Sequence, residues 1–157
     1  MTRPDGTVYT RRGLGLERNA PVLPARLHKS LGVKYIVDLE ILPFMTGLEQ
    51  RNAKPYGITV IRGLMNASPI APSEKHVDSI LATLRRDRPV YFHCKYGRDR
   101  TNVIAALYKM YFLGMTEPEA MRYVHDQGYK DGWVRAGLRR YIRKHPTRPP
   151  EVTATRE

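Results

Sequence analysis

The sequence predicts a compact single α/β domain in which a mainly parallel central sheet of four to five strands is flanked by helices. Three observations predict it. Short β-rich apolar runs at 33–39, 58–61 and 90–92 alternate with longer segments whose apolar residues recur at helical spacing. A length of 157 residues suits one domain with one sizeable core. The strand, helix, strand order between 58 and 92 implies a right-handed crossover, and so a parallel pairing.

Residues 1–20 have little periodicity and read as an N-terminal extension packing on the domain, where Val8 and Tyr9 form a short edge strand that brings Arg11 and Arg12 back. A short helix over 24–31 stops at Gly32, and the run containing Val33, Tyr35, Ile36, Val37 and Leu39 is an interior strand. Asp38 and Glu40 stand at its exit, where a parallel sheet presents its ligand-binding edge. Residues 41–57 are weakly patterned, with a short helix over 46–51, and 58–61 is a second strand. The stretch RGLMNASPIAP, 62–72, is a loop by composition and belongs at the same edge.

Ser73 caps a helix that buries Val77, Ile80, Leu81 and Leu84 on one face, and Pro89 lies beyond its end. After the strand 90–92 and a loop around Cys94, a helix opens near Arg100, places Ile104, Leu107, Tyr108 and Tyr111 on one face and ends at Gly114. Thr116 and Glu119 form a capping box, with Pro118 in the first turn, for a helix that carries Ala120, Met121 and Val124 and ends at Gly128. A last helix over about 132–144 buries Trp133, Leu138, Tyr141 and Ile142, and the Pro-rich tail 146–157 is disordered. The globular unit is thus 21–145.

A formal net charge of +12 points to a polyanionic partner: a phosphorylated small molecule, a phosphoprotein, or anionic lipid at a peripheral contact. Seven Lys or Arg fall between Lys130 and Arg148 against one acid, Asp131. Nucleic acid is not expected, because no zinc finger, RNP-like strand pair or Gly-x-x-Gly clamp accompanies the charge. A single cysteine excludes a disulfide framework and a cysteine-based zinc site. No apolar run reaches membrane-spanning length, and the first residues show no signal-peptide pattern, so a soluble, cytoplasmic monomer is expected.

The chemistry concentrates in PVYFHCKYGRDRT, 89–101. A cysteine is nucleophilic as a thiolate, and a helix N-terminus with nearby cations lowers its pKa from about 8.5. Here the loop runs straight into the helix that begins near Arg100, so backbone N–H groups from Lys95 to Arg100 can converge on an anion. Arg100 can hold two phosphoryl oxygens through its planar fork. Gly97 permits the curvature, and the Thr101 hydroxyl can donate to the thiolate, which makes Cys94 a better leaving group in a second, hydrolytic step. His93 orients the loop and stabilises the thiolate rather than acting as a base. Lys95 and Arg98 flank Gly97, giving three cations with Arg100 around one phosphoryl site. Tyr96 can floor the pocket or pack on the domain, and Arg62 and Lys130 are candidate outer contacts.

The string HCKYGRDRT resembles the signature of the protein-tyrosine-phosphatase superfamily, His-Cys, five residues, then Arg and Thr or Ser, and the chain length resembles its dual-specificity branch. The likeness extends over about 20–145, through VKYIVDLE, GMTEPEA and YKDGW, the last similar to small bacterial members. It implies the cysteine phosphatase fold, Cys94 as nucleophile, Arg100 as phosphate clamp, Thr101 as the helper in phosphoenzyme hydrolysis, and no metal or other cofactor. Members of the family usually take a general acid from an Asp in the loop that corresponds to 62–72. That loop holds no Asp here, and Glu74 is the nearest carboxylate. An Asp directly before the Arg is similar to myotubularin-like and Sac-like phosphoinositide phosphatases, the latter sharing DRTN, which makes Asp99 the candidate acid with Asp38 and Glu74 in reserve. Asn102 stands where Gly is common and is assigned no chemistry beyond capping the helix or holding the loop. The basic pair Lys95 and Arg98 is similar to that of the phosphoinositide 3-phosphatase with a tensin-like domain and of the atypical group acting on inositol pyrophosphates. The resulting expectation is a phosphomonoester hydrolase acting on inositol polyphosphates or phosphoinositides. A protein tyrosine or dual-specificity phosphatase is the alternative, and a phosphate-binding module without turnover is the reading of another class.

Overall fold

A computed structural model of the chain describes residues 27–29, 31–41, 43–65, 70–85, 89–95 and 97–146, the side chains of Pro43 and Val134 excepted. Three strands form the sheet among these residues: β1 (Tyr35–Asp38), β2 (Thr59–Arg62) and β3 (Val90–His93), in the order β2-β1-β3, all parallel. β1 is central because the pleat gives it two apolar faces. Ile36 and Tyr91 point into one core with Leu27, Val33, Ala53 and Ile58, while Val37 and Phe92 point into a larger one. The register sets Asp38 opposite both Arg62 and His93, so the segments after all three strands leave from one edge.

Five α-helices have both ends among the described residues, besides helical residues at 27–29 and 31. α1 (Pro43–Ala53) connects β1 to β2, and α2 (Glu74–Leu84) connects β2 to β3 across β1. Ser73 caps α2, its hydroxyl accepting from the His76 amide at 3.3 Å, and Val77, Ile80, Leu81 and Leu84 are buried. α3 (Arg100–Leu113) is buried on every side from Thr101 to Tyr108, a helix enclosed between the sheet and its neighbours rather than one with a single apolar stripe. Gly114, at φ 74°, ends it. α4 (Glu117–Asp126) starts with the Thr116–Glu119 capping box, and α5 (Ala136–Lys144) buries Leu138, Tyr141 and Ile142. No helix among the described residues is long and apolar enough to cross a membrane.

The chain differs from the sequence expectation in three ways. The sheet has three strands among the described residues, not four to five; the proposed edge strand at Val8 and Tyr9, the extension 1–20 and the tail from 147 lie outside them. Trp133 is 78% exposed rather than buried. It belongs to a 3-10 turn (Trp133–Arg135) that precedes α5, so it is out of phase with the apolar face that starts at Leu138. α1 is longer than the expected 46–51, although Phe44, Met45 and Leu48 on it are exposed.

Candidate active site

Cys94 directly follows β3 and is buried, and Gly97, Arg98 and Asp99 lead into the N-terminus of α3. The turn passes through Gly97 at φ 65°, a conformation that a side chain would strain. Asn102, in the first turn of α3, fixes the loop from below: its Nδ2 donates to Gly97 O at 3.2 Å, Arg98 O at 2.7 Å and Gln127 O at 3.3 Å. The loop-holding role considered for Asn102 is therefore the one it has, with the α4 terminus as a third anchor.

This cradle changes the acidity of Cys94. Burial alone would push the thiol up, but the hydroxyl and amide of Thr101, the charge of Arg100 and the amide of Gly97 outweigh it and hold the thiol below its ordinary value of 9.0. The Thr101 hydroxyl is buried without a well-aligned partner, so its proton can turn toward the sulfur. Arg100 donates from Nη1 to Leu39 O at 2.9 Å and Met65 O at 3.1 Å, and its Nη2 lies 3.7 Å from Glu40 Oε2. One guanidinium thus ties together the segments that follow β1, β2 and β3, and its plane is set before any ligand arrives.

The other expected residues fall into two groups. His93, Cys94, Asp99, Arg100 and Thr101 share the loop and its two flanking elements. Lys95, Lys130 and Arg62 are exposed, with Arg62 at the end of β2. Arg98 is half-buried, and its aliphatic stem runs past Gly128. Tyr96 lies outside the described residues. Asp99 is only 8% exposed and faces the α4–α5 connection: Oδ1 accepts from the Lys130 amide at 3.4 Å, and Oδ2 lies 2.8 Å from Arg135 Nε in an ion pair whose N–H is not aligned as a hydrogen bond. The two reserve acids are engaged elsewhere. Asp38 accepts from the Glu40 amide at 2.8 Å and the Thr46 hydroxyl at 2.6 Å, and Glu74 is 3.5 Å from His145 Nε2.

Two residues of this neighbourhood escaped the sequence reading. In the sequence Arg135 is one of the seven basic residues between 130 and 148, and Glu49 belongs to the weakly patterned stretch 41–57. Glu49 Oε1 is 2.8 Å from His93 Nε2, and ligand atoms of Asp38, Glu49 and His93 all lie within 4.8 Å of one another. The trio could match a metal-ligand set, but Asp38 already accepts two hydrogen bonds and His93 is bonded to Glu49, so it is organised as a hydrogen-bonded cluster. The only sequence signal was that Thr46 and Glu49 are three apart on one helix face.

The sequence model described as "Tyrosine phosphatase family" matches residues 45–122, a span that contains the whole Cys94 loop and α3. The chain belongs to the protein-tyrosine-phosphatase superfamily. With its one cysteine buried in the loop that carries the superfamily signature, it is a cysteine-based phosphatase. Among solved structures, the chain is similar to P. aeruginosa TpbA in complex with pTyr, at 25% identity and a TM-score of 0.62, over 81% of this chain and 75% of that one. Two further likenesses are of fold alone. Tk-PTP in the active form shares 18% identity (TM-score 0.59, covering 77% of this chain and 86% of that one). PTPMT1 in complex with PI(5)P shares 15% (TM-score 0.61, covering 90% and 94%). No curated protein sequence matches the chain.

Proposed function

We propose that this phosphatase hydrolyses aryl phosphomonoesters of the phosphotyrosine type, through a phosphocysteine intermediate, on residues 21–145 as its catalytic unit. The observation that carries the proposal is the Cys94 thiol held below its ordinary pKa against burial by Thr101, Arg100 and Gly97. In this reading the Cys94 thiolate attacks phosphorus, the amides from Lys95 to Arg100 and the Arg100 fork stabilise the charge on the transferring phosphoryl group, and the leaving oxygen departs as the P–S bond forms. Water then breaks the P–S bond and releases phosphate, with Thr101 stabilising the departing thiolate.

Leaving-group chemistry favours the aryl ester. Asp99, Asp38 and Glu74 each have other partners, and the loop 62–72 contains no Asp. A phenol, with a pKa near 10, leaves with little help, whereas an alkyl alcohol nearer to water's ~15.7 needs a proton in the transition state. Asp99 is then a positioning carboxylate of the loop, in place of the general acid that the sequence pattern assigned to it. The likeness to TpbA, solved with pTyr, agrees with this substrate class.

A second reading, turnover of inositol polyphosphates or phosphoinositides, draws support from the exposed cations Lys95, Arg62 and Lys130 and from the fold shared with PTPMT1, solved with PI(5)P. Phosphate release from p-nitrophenyl phosphate, a phosphotyrosine peptide, a phosphoserine peptide, inositol hexakisphosphate and PI(5)P vesicles separates the two. The aryl substrates should be hydrolysed with a kcat/KM well above the alkyl ones, and Cys94→Ser should bind phosphate without turnover. Faster release from the inositol compounds would replace the first reading with the second. Wild type inert even on p-nitrophenyl phosphate would leave a phosphate-binding module.

A further inference from the structure

α1 contributes nothing to the signature loop, and its sequence shows no clear apolar stripe. It nevertheless reaches the catalytic edge of the sheet twice. Thr46 donates to Asp38 at the end of β1, and one turn later Glu49 bonds Nε2 of His93 at 2.8 Å, the residue covalently joined to Cys94. Both side chains of the second pair are largely buried, 14% exposed for His93 and 15% for Glu49. Tyr91 stacks against the imidazole at 5.4 Å between centroids, which limits rotation of the ring away from Glu49.

We propose that Glu49 is a positioning residue of the phosphatase reaction: by bonding Nε2 of His93 it keeps the imidazole protonated and oriented, so that the positive end of the pair adjoins the Cys94 thiolate. The inference rests on Cys94 being the nucleophile. Burial by itself would make His93 a weaker base, yet the hydrogen bond and charge of Glu49, joined by Asp38 and by Cys94, raise it above its ordinary 6.5. Coupling between two titrating groups is mutual, so a thiolate that favours the imidazolium is favoured by it in turn. The groups facing this pair are Glu49 from α1, Asp38 from β1 and Cys94 on its own segment, while Arg100 and Thr101 act on the sulfur from α3. Replacing Glu49 by Gln leaves the pair neutral overall, as it was. What is lost is the local cation next to the sulfur, since His93 adjoins Cys94 in the chain and Glu49 does not.

Because Cys94 is the sole cysteine, its alkylation by iodoacetamide reports its ionisation without interference. In Glu49→Gln the midpoint of the alkylation profile should move to higher pH by up to about one unit, which slows alkylation on the acid side by up to about tenfold. The acid limb of kcat/KM for p-nitrophenyl phosphate should move the same way. Adding Glu49→Gln to a His93→Gln background should change neither profile further. A folded Glu49→Gln, judged by its melting temperature, whose profile superimposes on wild type would overturn the proposal. Ring signals of His93 in the wild-type protein give a second test that requires no variant to fold: the imidazole should stay protonated above pH 6.5, and titration at or below that value would also overturn it. An ordinary alkylation midpoint in wild type together with no turnover of p-nitrophenyl phosphate would instead remove the phosphatase reading itself.

Discussion

At the scale of single residues, the site is a buried cysteine whose thiol is made more acidic by the donors around it. Thr101, Arg100 and Gly97 act directly on the sulfur, and Asn102 holds the carbonyls of Gly97 and Arg98. Asp99 is the residue on which sequence and geometry differ most. Its place before Arg100 made it the candidate acid, but its carboxylate is directed to Arg135 and the Lys130 amide. Asp99→Asn should therefore lower kcat/KM on aryl and alkyl phosphates by similar factors, with a stability loss of about 1–3 kcal/mol from weakening a mostly buried pair. A loss confined to alkyl phosphates, measured by phosphate release from both classes, would return the acid role to Asp99. The Cys94 loop could be read from the sequence because all its chemistry is contiguous in the chain. Glu49 could not, because its partner His93 is 44 positions away and only the fold joins them.

At the scale of elements, the catalytic edge exists because three parallel strands end level with one another. The segments leaving them are packed tightly enough to be tested at a backbone position. A Cβ on Gly63, just after β2, would sit 2.7 Å from Leu39 Cδ2 and 3.0 Å from Val37 Cγ1. Both neighbours are buried in the larger core and cannot move cheaply. Gly63→Ala should cost about 1–3 kcal/mol in urea unfolding, and kcat/KM should fall as well, because the displaced segments supply the Leu39 and Met65 carbonyls that seat Arg100. Full stability with full activity would show that this edge is looser than its packing indicates. The caps, strands and apolar spacings of these elements were legible locally. Trp133 was not, since a 3-10 turn shifts the phase on which its burial was inferred.

At the scale of the molecule, buried titrating groups make stability depend on pH. The pKa of His93 is raised in the folded state, so its contribution is full below the unfolded value of 6.5 and is lost as pH rises through the folded value. The pKa of Cys94 is depressed, so its contribution is present above the unfolded value and lost as pH falls through the folded one. Urea unfolding in a Cys94→Ser background removes the second slope. There the stability advantage of His93 over His93→Gln should be greatest below pH 6.5 and shrink at higher pH. An advantage that does not change with pH would mean that His93 acts through packing alone.

The sequence by itself determined the chemistry and the class of fold. The cysteine, the arginine, the glycine turn and the helix that receives them occupy one unbroken stretch, so their spacing is legible without the fold. Strand and helix periods likewise depend on neighbours a few residues apart. Only the tertiary structure decided which charges meet. Asp99 pairs with Arg135 and Glu49 with His93 because the α4–α5 connection and α1 pack against the ends of the strands. Those pairings follow from how whole elements are stacked, and no spacing within the chain encodes them.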